Sequence, residues 1–131
     1  MEMQDRRNLL TTNLSPKTSH EIVVELEKLI FFEEDKSLAC IRIVYVPDRL
    51  ILPHQSLQTY LDAISKVPVN SLEELAVEML DDFINEILPR WVQINISIQD
   101  KNEIERISSR ITVTDRQPGW ENSNLLSRVM C

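Results

Sequence analysis

The chain has 131 residues, of which 43% are hydrophobic and 27% charged, a composition typical of one globular domain with a buried core. The net charge of -7 disfavours nonspecific nucleic-acid binding, because a polyanion gains little from an acidic partner. The apolar runs are too short for a membrane span, and the first residues lack the apolar stretch of a signal peptide. These features predict a cytoplasmic protein that binds neither nucleic acid nor membrane.

Glycine and cysteine are both scarce. Gly119 is the only glycine, which excludes Gly-rich phosphate loops and dinucleotide fingerprints, because these need several residues that tolerate close backbone approach. The two cysteines, Cys40 and Cys131, form no CxxC pair. The two histidines, His20 and His54, have no cysteine nearby at metal-ligand spacing. We therefore expect a reduced protein with neither a structural disulfide nor a metal site.

The first part of the chain predicts a lead-in and a hairpin. Residues 1–17 are polar, which predicts a flexible lead-in. Residues 20–31 alternate apolar and acidic side chains, the pattern of a strand with one solvated face. Residues 38–46 are rich in β-branched side chains and predict a second strand, joined to the first through the charged residues 33–36. Pro47 ends this strand, because proline cannot donate to a ladder.

Two helices follow the hairpin. Apolar residues recur at helical spacing over residues 56–66. The second helix begins after Ser71, which is the expected N-cap, and Glu74 three residues later completes a capping-box pattern. Within this helix Asp81 and Asp82 are adjacent, so they point in different directions and are expected to lie on a solvated face. Pro89 ends the helix.

Two further strands and a tail complete the predicted elements. Residues 90–99 alternate cleanly between apolar and polar side chains, and residues 104–114 do so in part. Trp91 falls on the polar face of the first of these strands, which favours an interface position, although a packing role fits equally well. Residues 115–131 form a C-terminal tail with a short apolar cluster at Leu125-Leu126.

The order β-β-α-α-β-β predicts an α+β domain over residues 18–114, an antiparallel sheet with two helices on one face. A small sheet of this kind has unpaired edges, which commonly pair with another subunit. We therefore expect a homo-oligomer that forms through the sheet edges. The same order of elements resembles the tunnelling fold, whose members assemble into barrels and hold purine- or pterin-like bases between subunits.

Three short stretches resemble one branch of the tunnelling fold, the 7-cyano-7-deazaguanine nitrile reductases of queuosine biosynthesis. The resemblance covers about residues 40–95. The stretches are Tyr45-Val46-Pro47-Asp48 at the end of a strand, Ser56-Leu57 with Tyr60 at the start of a helix, and Pro89-Arg90-Trp91 after the second helix.

The resemblance implies three candidate ligand-binding residues. The glutamate with which the family recognises its base falls on Glu73, where the helix dipole keeps a carboxylate ionised; acidic residues are also common at helix starts for structural reasons. Ser56 matches the connector motif, and it is also the expected N-cap of its helix. His54 lies in the same connector, where it either replaces a lost polar contact or is simply solvated.

The family's nucleophile has no counterpart at the matching position. The cysteine that attacks the nitrile falls on Ile30, and the family's acidic proton donor falls close to Ser37 and Asp35. A thiolate is needed because it is both a nucleophile and a workable leaving group. Cys40 lies inside a predicted strand, where cysteines are usually unreactive, so no catalytic residue is assigned.

These residues leave three hypotheses for function. The first is a divergent member of the reductase family that has lost nitrile reduction and acts as a purine- or pterin-binding protein or as an accessory protein in an assembly. The second is an active NADPH-dependent reductase with a rearranged site, and NADPH is expected only in that case. The third is a protein-interaction module that binds no small ligand.

Overall fold

The computed structural model describes residues 7–17, 20–33, 37–68, 71–98 and 109–129. Within these ranges the elements, in chain order, are strand β1 Asn13–Leu14, strand β2 Val24–Phe32, strand β3 Ser37–Val46, strand β4 Leu50–Ile51, helix α1 His54–Ser65, helix α2 Leu72–Ile87, strand β5 Trp91–Ile98, strand β6 Arg110–Arg116 and helix α3 Ser123–Val129. The predicted β-β-α-α-β-β order is confirmed, although residues 104–108 of the last predicted strand lie outside the described ranges.

The four long strands form one antiparallel sheet in the order β2-β3-β5-β6, and the short strands β1 and β4 pair separately. In the described part of the chain, β2 and β6 are therefore the two edges of the sheet. The register defines a lower end, which carries Val24, Val46, Trp91 and Arg116. The upper end carries Phe32, Ser37, Ile98 and Arg110.

One face of the sheet is covered by α1 and α2. Helix α1 packs on β2, and α2 packs on β5 and β6. The period-2 pattern of the strands directs their apolar residues to this side, where they meet the apolar stripe of each helix. The predicted two-helix layer is thus confirmed. Its largest fully buried side chains include Tyr45, Tyr60, Phe83, Ile41, Ile43, Leu61, Ile64, Met79, Ile87, Ile94 and Ile96.

The opposite face is covered at its lower end by the chain itself. Trp91 is only 2% exposed and packs with Val44 and Val46 of β3. Trp120 and the Leu125-Leu126 pair of α3 lie against this cluster. The predicted C-terminal tail therefore contains a helix that buries Trp91, so the packing alternative for Trp91 is correct.

Three proline-containing turns meet at the lower end and hold the C-terminal segment in position. Arg90 is central: its side chain contacts Glu21 at 3.2 Å and Asp48 at 3.5 Å. Gln117 donates to Asp48 at 3.2 Å, and its backbone N–H donates to the carbonyl of Arg90 at 2.9 Å. Leu88, between α2 and Pro89, has a left-handed backbone with φ 52°, a conformation that is strained for leucine.

The described part of the lead-in, residues 7–17, contacts the helices. Leu10 is 5% exposed and joins the core between sheet and helices. Strand β1 pairs with β4, and the N–H of Ser15 donates to the carbonyl of Arg49 at 2.8 Å. These contacts do not report on motion, so the flexibility of the lead-in stays a prediction.

Candidate functional site

Glu73 lies in the first turn of α2, one residue after the helix begins. Ser71 is the N-cap, as predicted, and its hydroxyl accepts a hydrogen bond from the N–H of Glu74 at 3.0 Å. Glu73 is exposed, and its carboxylate makes no hydrogen bond or ion pair with any residue that the structure describes. An uncommitted carboxylate at a helix N-terminus can accept two hydrogen bonds from the N–H edge of a planar base.

Ser56 occupies a different environment from the one predicted. Helix α1 begins at His54 with Pro53 as its N-cap and no side-chain cap, so the prediction that Ser56 caps the helix is wrong. Ser56 instead lies in the first turn and is 8% exposed. Its hydroxyl donates to the carbonyl of Leu9 at 2.8 Å and accepts from the N–H of Thr11 at 2.8 Å. The lead-in therefore holds this hydroxyl from both sides.

His54 is exposed at the start of α1, where it lines an open cleft of about 300 Å³. The cleft follows the edge strand β2 from Glu25 to Lys28 and is closed on the other side by α1. Lys28 bridges the two walls through an ion pair with Asp62 at 3.2 Å. The imidazole thus faces a groove with an apolar floor and both signs of charge at its rim.

The three candidate residues do not meet within one chain. Helix α1 ends near the upper end of the sheet, because the carbonyl of Ser65 accepts from the N–H of Glu33. Helix α2 ends at the lower end, where the N–H of Arg90 donates to the carbonyl of Val46. Glu73 therefore lies toward the upper end and His54 toward the lower end, about the length of α1, or roughly 18 Å, apart.

The positions that match the family's reactive residues lie at the same end as Glu73. Ile30 is near the upper end of β2 and Ser37 begins β3, while α2 starts on that side. Ile30 is only 4% exposed and belongs to the apolar core between sheet and helices. The side chain at the nucleophile's position is therefore a packing residue.

Cys40 points to the opposite face of the sheet, which α1 and α2 do not cover. It is paired with Leu29 across β2, and its thiol donates to Glu27 at 2.9 Å. Burial raises the pKa of the Cys40 thiol to about 11, and the hydrogen bond to Glu27 and the charge of that carboxylate act in the same direction. The protonated thiol is neither a good nucleophile nor a metal ligand at neutral pH.

Alkylation of Cys40 is expected to be slow at pH 8, where about one thiol in a thousand is ionised, and to rise steadily toward pH 11. Glu27→Gln removes the charge that opposes the thiolate, so the pKa falls and the pH–rate profile moves to lower pH. The measurement is iodoacetamide labelling followed by mass spectrometry in a Cys131→Ser background. Glu33→Gln, just after the same strand, is the matched control. An unchanged profile for Glu27→Gln would contradict the assignment.

The sequence failed to identify a buried polar cluster between the helices. Asp82, expected on a solvated face, is fully buried. It accepts a hydrogen bond from the Tyr60 hydroxyl at 2.5 Å and pairs with Arg7 Nε at 3.1 Å. The signal was its spacing, because Asp82 lies three and seven residues after the core residues Met79 and Leu75.

The two sheet edges carry opposite charges on the face away from the helices. Glu25 and Glu27 line β2, whereas Arg110 and Arg116 line β6. Neither arginine makes an ion pair with another described residue. Beside β6, a second open cleft of about 370 Å³ lies between this strand and the end of α2, next to Leu88.

Two other kinds of site are not found in the described residues. Across the described ranges, no three His, Cys, Asp or Glu side chains come together in a way that could hold a metal ion. None of the helices in the described part has the length and apolar character that a membrane span requires.

Comparison with known proteins extends the resemblance beyond the motifs. The chain is 29% identical over 98 residues to an NADPH-dependent 7-cyano-7-deazaguanine reductase from one strain of Prochlorococcus marinus, covering 72% of each protein. It is 23% identical over 105 residues to the reductase of the same name from a second strain of that organism, covering 78% of this chain and 76% of that protein. No protein-family model matches the chain.

A solved structure shares the fold. The crystal structure of the archaeosine synthase QueF-Like in the apo form superimposes with a TM-score of 0.56 at 14% identity, covering 75% of this chain and 95% of that chain. The predicted tunnelling fold is therefore confirmed. The similarity in sequence spans more of the chain than residues 40–95, from which the resemblance was first drawn. In sequence and in fold, this chain resembles the 7-cyano-7-deazaguanine reductases and their QueF-like relatives.

Proposed function

We propose that this protein is a divergent relative of the 7-cyano-7-deazaguanine reductases that binds a purine- or pterin-like base without reducing a nitrile. Glu73 is the observation that carries the proposal. Its exposed carboxylate has no partner among the described residues, stands at a helix N-terminus, and occupies the position that recognises the base in the family. A structural acid at this position would be expected to take part in capping, a role that falls to Ser71 here.

The loss of nitrile reduction is supported by two described positions, the one that matches the family's nucleophile and the one that holds Cys40. Ile30, at the nucleophile's position, is buried in the core. Cys40 is on the other face of the sheet, with a pKa raised to about 11 by burial and by Glu27. A covalent thioimide requires a thiolate that reaches the nitrile carbon, and neither position supplies one.

Assembly through the sheet edges belongs to the same proposal. In a ring of equally oriented copies, β6 of one copy would run antiparallel to β2 of the next, which continues the pattern of the sheet. The acidic side chains of β2 would then face the basic side chains of β6. Glu73, on the helix that packs on β6, would face the upper part of the neighbour's β2. The base would therefore bind between copies.

The test of base binding is a thermal-shift titration with 7-cyano-7-deazaguanine, guanine and pterin. At a ligand concentration of 100 Kd, binding adds about 2.7 kcal/mol of stability and raises Tm by several degrees. Glu73→Gln should abolish the shift, because an amide cannot accept both hydrogen bonds. Glu74→Gln, one residue along the same exposed turn, should retain it. If Glu73→Gln and wild type shift equally, Glu73 is not the base-recognition residue.

The test of assembly is a charge exchange between the two edges. Glu27→Lys alone and Arg110→Glu alone should each shift the native mass toward the monomer, because like charges would meet across the edge. The double variant should recover the oligomer. Asp81→Lys on the exposed side of α2 is the control and should leave the mass unchanged. A strictly monomeric wild type would contradict the proposal.

An active NADPH-dependent reductase in queuosine biosynthesis is the second candidate, favoured by the names of the relatives at 29% and 23% identity. It requires 7-cyano-7-deazaguanine to drive NADPH oxidation and to leave a covalent mass adduct on the protein. Absence of both would exclude it. If the chain is instead a module that binds only other proteins, none of the bases should change its Tm. Both the base-binding protein and the reductase are expected to work in the cytoplasm.

A further inference from the structure

The N-terminal residues 7–15, here called the strap, are attached to the helices and to β4 but add no strand to the main sheet. Arg7 pairs with the buried Asp82, and Leu10 enters the core. Beyond these anchors, the strap brackets the Ser56 hydroxyl with the carbonyl of Leu9 and the N–H of Thr11. It ends on β4 through Ser15 and the short pairing of β1.

The contacts of the strap, unlike those between the long strands, are not part of the main sheet. The backbone ladders of β2, β3, β5 and β6 are complete without the strap, so its removal breaks no hydrogen bond of the main sheet. The Arg7 side chain is 36% exposed and Leu14 is 80% exposed, so both ends of the strap face solvent. The strap buries only Leu10 and part of Leu9, and its hydrogen bonds to Ser56 are partly buried. It is therefore expected to open at lower free energy than the sheet beneath it.

The strap also forms hydrogen bonds with Ser56, which is a candidate ligand-binding residue. Ser56 is one of the three positions that the resemblance assigns to the ligand, yet its hydroxyl is occupied on both sides and 8% exposed. The single proton of the hydroxyl is committed to the carbonyl of Leu9, and one of its two lone pairs accepts from Thr11. A ligand that accepts a hydrogen bond from Ser56 must therefore displace Leu9.

We propose that the strap detaches as a unit from a core that stays folded, and that its departure makes the Ser56 hydroxyl available to a ligand. The first part is independent of the proposed function, and the second part rests on it. Detachment is favoured by salt, because the Arg7–Asp82 pair is partly open to solvent and is screened.

Hydrogen exchange on the full-length protein tests detachment. The amide of Thr11, which donates to Ser56, reports the strap, and the amide of Ile43 in the central strand β3 reports the core. In wild type, Thr11 should be far less protected than Ile43, because it opens with the strap alone. Arg7→Gln should accelerate both amides by about tenfold, because the Arg7–Asp82 pair is lost in detachment and in global unfolding alike. Trp91→Ala, which weakens packing on the other face of the sheet, should accelerate Ile43 and leave Thr11 unchanged. Lys17→Gln, a neighbouring exposed cation, should leave both rates unchanged. Equal protection of Thr11 and Ile43 in wild type, or acceleration of Thr11 by Trp91→Ala, would overturn the proposal.

The ligand arm uses 7-cyano-7-deazaguanine as the probe. If its binding requires Ser56, saturation should remove the protection of Thr11 in wild type, and Ser56→Ala should weaken binding. Binding that depends on Glu73 but leaves Thr11 protected would overturn the role of Ser56 while the proposed function stands. Absence of binding would remove the proposed function, and the ligand-free exchange data would still decide whether the strap detaches.

Discussion

Asp82→Ala is expected to lower the free energy of unfolding by about 3 kcal/mol, one of the two largest effects predicted for a single substitution in this chain. The Asp82 carboxylate is fully buried and receives the Tyr60 hydroxyl at 2.5 Å and Arg7 at 3.1 Å. Alanine leaves the buried Tyr60 hydroxyl without this acceptor, which costs about 1–3 kcal/mol, and opens a small void between the helices. Urea denaturation followed by circular dichroism measures the change.

The adjacent aspartate supplies the control. Asp81 is exposed on the same helix, so Asp81→Ala should change stability by less than about 0.5 kcal/mol. A double-mutant cycle with Tyr60→Phe isolates the pair: the two substitutions together should cost less than their sum, because each removes the other's partner. Strictly additive effects, or a loss below about 1 kcal/mol for Asp82→Ala, would contradict a buried hydrogen-bonded pair.

Regular patterns in the sequence predicted the sheet and its helix layer well. Alternation in β2 and β5 predicted which side chains face the core, because a strand turns successive residues to opposite faces. Ser71 signalled the start of α2 correctly, since its hydroxyl satisfies an N–H that the helix leaves free. These elements follow from local rules that hold whatever the rest of the chain does.

The errors arose where distant segments meet. Ser56 matched the pattern of an N-cap, but its hydroxyl bonds to Leu9 and Thr11, more than forty positions away in sequence. The spacing of Asp82 from Leu75 and Met79 indicated the buried side of α2, but its partners Arg7 and Tyr60 are distant in sequence. The pairing of β1 with β4 involves only two residues on each strand, too few to produce a recognisable period.

For the candidate site too, the sequence predicted local features but not distances between segments. Glu73 could be singled out from sequence by the resemblance and by its place in a first helical turn. Its distance from His54 and Ser56 could not, because it depends on the opposite directions of α1 and α2 along the sheet. Motif residues that are close in sequence therefore lie at one end of the molecule, and the carboxylate that completes the motif lies at the other.

The second large effect is expected at Trp91, where Trp91→Ala should cost about 3–5 kcal/mol. The indole is 2% exposed and fills the space between Val44, Val46 and the C-terminal segment. Alanine leaves a cavity on the sheet face opposite α1 and α2, and α3 loses the surface on which it packs. Chemical denaturation measures the loss, and Trp120→Ala, at a partly exposed position of the same cluster, should cost less.

The dependence on protein concentration separates the two roles that the sequence left open for Trp91. If the chain's own α3 buries the indole, the stability difference between wild type and Trp91→Ala is the same in dilute and concentrated samples. If another subunit buried it, the difference would grow with concentration, because the substitution would act on association. The burial of Trp91 by Trp120 and Leu125-Leu126 of the same chain leads us to expect the first result. The apolar cluster of the predicted C-terminal tail would then be part of the fold.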